Sequence, residues 1–143
     1  MSDVYRLFNS ETNSTSRGLT DFAHIEEEYL ATIDSLNWPD GIALPDKLED
    51  EDTGASFQVG YGETRASYLW EYSWMKEWLD TYNTDPERAE KALEELEKAF
   101  DMPYMGIDRC DDATRNYLRE NIDKAKLGDP SGFTESIRAN YAN

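Results

Sequence analysis

The chain has 143 residues, 14 of them basic and 31 acidic, for a net charge of −17. That balance excludes the basic footprint that nucleic-acid binding needs and opposes docking on anionic lipid. One cysteine (Cys110) permits no intrachain disulfide, one histidine (His24) cannot build a common zinc site, and no apolar run approaches the roughly 18 residues of a membrane span.

The length fits one domain, read as 19–143, behind a flexible polar lead-in at 1–18. Within the lead-in, Asn13-Ser14-Thr15 matches a glycosylation sequon. The first residues lack the charged-then-apolar order of an intact signal peptide, and they fit an exported domain whose leader has been removed.

A first helix follows, capped by Thr20 or Asp21, with Phe22, Ile25, Tyr29, Ile33 and Leu36 as one apolar stripe and Pro39 as its end. Residues 37–62 form a long irregular loop. It holds Pro39, Gly41, Pro45, Gly54, Gly60, Gly62 and the acidic run at 49–52, with a short strand expected at 56–59.

The second helix, about 63–82, carries Trp70, Trp74 and Trp78 at i, i+4, i+8. At about 100° per residue, Tyr72, Met75, Leu79 and Tyr82 fall within roughly 40° of Tyr68, beside that ridge. The apolar arc is wider than a surface helix needs, which predicts a central helix with its tryptophans packed inward. The functional alternative is an exposed ridge that binds sugar, peptide or protein. Glu71 lies inside the arc and must find a partner or take a raised pKa. Trp70, Glu71, Trp74 and Trp78 are therefore the candidate aromatic and buried-acid site.

A third helix is capped by Asp85 with Pro86 at its first position, and buries Ala89, Ala92, Leu93, Leu96, Ala99 and Phe100. Pro103 and Gly106 mark a turn. The fourth helix starts at Asp111 or Asp112 and closes at Gly128. The last is capped by Asp129 and anchored by Phe133, Ile137 and Tyr141. The class is all-α: a small bundle or orthogonal array of about five helices around the aromatic central helix.

No HExxH, CxxC, GxSxG or Gly-rich phosphate loop is present. Cys110 with His24 is a conceivable nucleophile–base pair, but neither sits in a signature that supports it. The stretch "DKLEDEDTG" lacks the ligand alternation of a calcium loop. No cofactor or metal is expected.

Four pieces, "LNWPDGIALP", "GYGETRASYLWEYSW" followed by "WLDTY", "RAEKALEELEKAF" and "AKLGDPSGFTESIRANY", resemble in order a group of small actinobacterial proteins that are membrane-tethered or exported. The resemblance implies an extracytoplasmic domain and supplies no catalytic residues. In that group a cysteine lies between the two tryptophans and another near the C-terminus. Here those positions are Tyr72 and one near Tyr141, so any disulfide implied for the group is missing from this chain.

Between residues 20 and 60, eleven acidic residues stand against Lys47. Glu26, Glu27, Glu49, Asp50, Glu51 and Asp52 are the candidate partner surface, suited to a basic protein. The reading that results is a non-enzymatic domain acting by protein contact outside the cytoplasm. The alternative is a cytoplasmic acidic inhibitor of a basic protein, of the immunity or DNA-mimic type. More distant is a hydrolase using Glu71.

Overall fold

The computed structural model describes residues 18–50 and 52–141. The fold is all-α: the described residues form five α-helices with one two-stranded ribbon. They are α1 (Phe22–Ser35), α2 (Tyr61–Thr81), α3 (Pro86–Glu97), α4 (Asp112–Lys126) and α5 (Ser131–Asn140); the strands are β1 (Leu19–Thr20) and β2 (Phe57–Gln58). Contacts divide the chain into two compact units, one up to Leu36 plus Gly41–Trp70, the other Asn37–Asp40 plus the chain from Glu71. Helix α2 gives its first half to one unit and its second half to the other.

In the first unit, the Asp21 carboxylate accepts from the His24 backbone N–H at 3.0 Å and starts α1. Ile25, Tyr29 and Ile33 form its buried stripe. Strands β1 and β2 pair antiparallel, Leu19 opposite Gln58 and Thr20 opposite Phe57. The Phe57 ring stacks on Tyr61 at 5.6 Å and tilts against Phe22 at 6.0 Å. The strand expected at 56–59 is thus present over two residues, and its partner, at 19–20, carried no alternation long enough to announce a strand.

Helix α2 begins at Tyr61, two residues before its expected start. The Glu28 carboxylate of α1 accepts from the backbone N–H groups of Gly60 (3.0 Å), Gly62 (3.2 Å) and Glu63 (3.4 Å), satisfying donors that a helix start leaves open. Gly60 has φ +101°, a conformation glycine takes freely. At Gly62 a Cβ would lie 2.1 Å from the Ile25 carbonyl oxygen, so only glycine lets the α1 backbone come this close.

The irregular segment is tied down at several points. Leu48 is buried, and its N–H donates to Glu26 Oε2 at 3.1 Å. Arg65 donates to the Glu49 carbonyl at 3.2 Å and pairs with Asp50 at 3.6 Å.

In the second unit, Asp85 caps α3 by accepting from the Arg88 N–H at 3.3 Å, with Pro86 in the first turn. The helix ends at Glu97, earlier than expected. Residues Lys98–Asp101 and Pro103–Met105 continue as two 3-10 turns, which still bury Ala99. Phe100, expected in the buried stripe, is half-buried and lies under the Arg119 guanidinium at 4.2 Å. Asp111 caps α4 through the Thr114 N–H at 2.8 Å. Glu97 accepts from Arg119 at 2.6 Å and Lys126 at 2.7 Å, joining α3 to α4. Gly132 of α5 meets Asn121 of α4, whose Oδ1 would lie 2.6 Å from an added Cβ. The α5 boundary falls at Pro130, one residue past the expected cap, while Asp129 still accepts from the Ser131 N–H at 2.9 Å.

No helix among the described residues is long and apolar enough to cross a membrane.

Candidate functional site

Trp70, Trp74 and Trp78 are all buried. Within the second unit, Trp78 stacks on Tyr82 at 4.4 Å and meets the Phe133 edge at 5.5 Å. Trp74 donates its indole N–H to the Asn37 carbonyl at 3.0 Å. The Trp70 indole N–H has no acceptor among the described residues. None of the three offers the exposed ring a sugar or peptide would stack on.

Glu71 is 5% exposed. Tyr104, from the second 3-10 turn, donates its hydroxyl to Oε1 at 2.7 Å, and Tyr141, at the end of α5, donates to Oε2 at 3.2 Å. Burial pushes the Glu71 carboxyl up to about 7, and the two tyrosine hydroxyls hold it back from rising further. Both oxygens are engaged by side chains from two other elements. The arrangement is that of an internal carboxyl held in place by phenols.

Cys110 lies in the same unit. Its Sγ is 3.7 Å from Met105 Sδ and donates to the Asp111 carbonyl at 3.4 Å. Arg115 closes the turn, donating to the Met105 and Cys110 carbonyls at 3.1 and 2.7 Å. Burial raises the thiol, the reverse of what an activated nucleophile needs. His24, in the first unit, pairs instead with Glu28 at 3.2 Å. The two residues are each committed to local partners.

The six acidic residues singled out for a partner surface divide by role. Glu26 and Asp50 hold the irregular segment, and the Asp50 side chain is only 1% exposed. Asp50 also accepts from the Asp52 N–H at 3.0 Å. Glu27, Glu49 and Asp52 are exposed. Glu51 lies outside the described residues. Among those described, no group of three or more His, Cys, Asp or Glu side chains is placed to hold a metal ion.

One feature belongs to no apolar stripe in the sequence. The second unit has a cleft of about 240 Å³ lined by Trp38, Pro39 and Asp40 and, along α2 and α3, by Trp74, Glu77, Glu87, Arg88 and Lys91. Pro39 turns the chain after Trp38, and the Trp74–Asn37 bond holds that turn to α2. Arg88 forks onto Glu77 at 2.9 and 2.8 Å, linking α3 to α2. The available signal was a tryptophan outside every apolar stripe, next to a proline.

No protein-family model, no curated protein and no solved structure matches the chain.

Proposed function

We propose that this chain is a non-enzymatic acidic helical domain that acts by contact with a basic protein, outside the cytoplasm. One observation carries the reading. In the first unit Asp21, Glu27, Asp34, Asp46, Glu49 and Asp52 are all exposed, and Lys47 is the only exposed lysine or arginine among that unit's described residues. Such an uncompensated field steers a cationic partner and speeds its association.

The enclosure of Glu71 by Tyr104 and Tyr141 supports a non-enzymatic role. The location rests on the resemblance to tethered or exported actinobacterial proteins. It draws support from Tyr72 and Tyr141, whose rings are in contact at 5.1 Å. These are the position where that group has one cysteine and the neighbourhood where it has the other. The same acidic surface would also serve a cytoplasmic inhibitor of a basic enzyme, and an adjacent toxin gene with no upstream leader would favour that alternative.

The test is capture from the native organism at low and high salt, with the bound proteins identified by mass spectrometry. Basic proteins are expected, lost as salt rises and lost in the Asp46→Asn/Glu49→Gln/Asp52→Asn variant. Salt-insensitive capture that the triple variant leaves unchanged overturns the proposal.

A further inference from the structure

We infer that the cleft beside Trp38 receives a cationic side chain, arginine above all, presented by a basic protein. The inference rests on the contact reading above and gives it a specific pocket in the second unit.

Size is the first argument. At about 240 Å³ the cleft is smaller than the roughly 300–1,000 Å³ of typical small-molecule sites, and it suits a single side chain.

The second argument is charge. Two cations line the cleft, and both are already engaged. Arg88 is forked onto Glu77, and Lys91 Nζ is 3.0 Å from Glu95 Oε2. Asp40 and Glu87 are exposed and have no hydrogen-bond or ion-pair partner among the described residues, although Asp40 lies within the field of Arg88. The free charge at the cleft is therefore negative.

The wall supplies the third argument. Trp38 is the one tryptophan of four that is not buried, and an indole face attracts a cation. A guanidinium is flat enough to stack on that ring while its fork reaches carboxylates, which a lysine ammonium cannot match. The cleft is also preorganised, since the Trp74–Asn37 bond ties the turn before Trp38 to α2 and the Glu77–Arg88 pair ties α3 to α2.

The experiment is a titration of the ¹⁵N-labelled chain at low salt, following the indole N–H signals. The probes are N-acetyl-arginine methylamide and its uncharged citrulline counterpart. The arginine probe is expected to shift the Trp38 signal and bind about fivefold more tightly than the citrulline probe. Asp40→Asn/Glu87→Gln, both exposed positions that leave the packing intact, is expected to weaken the arginine probe about fivefold, and Trp38→Ala to weaken it further. No shift at Trp38, equal binding of the two probes, or insensitivity to the double carboxamide variant overturns the inference. If capture of basic proteins is lost in the Asp46/Glu49/Asp52 variant yet unaffected by Asp40→Asn/Glu87→Gln, the cleft falls and the contact reading stands. If probe binding behaves as expected but capture is salt-insensitive and unchanged in the Asp46/Glu49/Asp52 variant, the contact reading falls and the cleft stands as an arginine site without a basic protein partner.

Discussion

Glu28 and Gly62 meet where α1 approaches the start of α2: the Glu28 carboxylate accepts the Gly62 N–H at 3.2 Å, and the Ile25 carbonyl occupies the space a Gly62 side chain would need. Glu28→Ala is expected to cost about 2 kcal/mol, because it strips several backbone donors of their acceptor at a helix start. Gly62→Ala is expected to cost more, since backbone must shift to admit the methyl. Urea denaturation checks the stabilities, and amide exchange at Gly60, Gly62 and Glu63 checks the site. Unchanged protection at those three amides in Glu28→Ala would show that the cap does not act as described.

Glu71 makes stability depend on pH in a definite sense. Its carboxyl titrates near 4.5 in the unfolded chain and is pushed up to about 7 in the fold. A raised carboxyl stabilises the fold fully below the unfolded value, and that contribution is lost as pH rises through the folded one. The buried charge costs on the order of 3 kcal/mol above pH 7. Glu71→Gln removes the titration, so its stability relative to the parent is expected to improve steadily between pH 4.5 and 7 and then level off. Parallel stability curves for the two proteins across that range would refute the assignment.

Asp50 and Glu49 are neighbours with different work. The Asp50 side chain is almost wholly enclosed and pairs with Arg65, while the Glu49 side chain is open to solvent near Lys47. Asp50→Ala leaves the Arg65 guanidinium short of its partner and is expected to destabilise by about 2 kcal/mol. Glu49→Ala is expected to stay within about 0.5 kcal/mol of the parent. Thermal melts of the two variants decide it. Equal losses would mean that the acidic run is not divided between anchoring and display.

Cys110 is expected to resist alkylation. Burial raises its thiol, so little thiolate is present near neutral pH. Iodoacetamide at pH 7.5 should modify the folded chain far more slowly than the same chain in urea. Comparable rates in the two conditions would contradict the enclosed setting beside Met105.

Much of this architecture could be read along the chain because its signals are local. Asp21, Asp85 and Asp111 each cap a helix three residues on, and the stripe Ile25, Tyr29, Ile33 follows the helical period. Glu71 also stood out locally, as an acid inside an apolar arc. Its partners did not, because Tyr104 and Tyr141 lie 33 and 70 residues away. The cap from Glu28 is hidden for the same reason, and so the start expected for α2 falls two residues late. The acidic residues read as one surface since charge is visible in a sequence and burial is not; only the fold separates Asp50 from Glu49. Trp38 gives no periodic signal, because periodicity finds packed residues and a ring beside a cleft belongs to no stripe.

The cap on α2 also bears on how the chain folds. Its acceptor, Glu28, lies 32 residues before Gly60, so the Gly60, Gly62 and Glu63 donors at the leading end of α2 are met by a carboxylate from a distant part of the chain. Closing that loop costs entropy before the contact can repay it, and the helix interior around Trp74 and Trp78 needs no such closure. The aromatic helix should therefore grow from its middle toward its start, and its leading turn should be the last part to lock and the first to loosen.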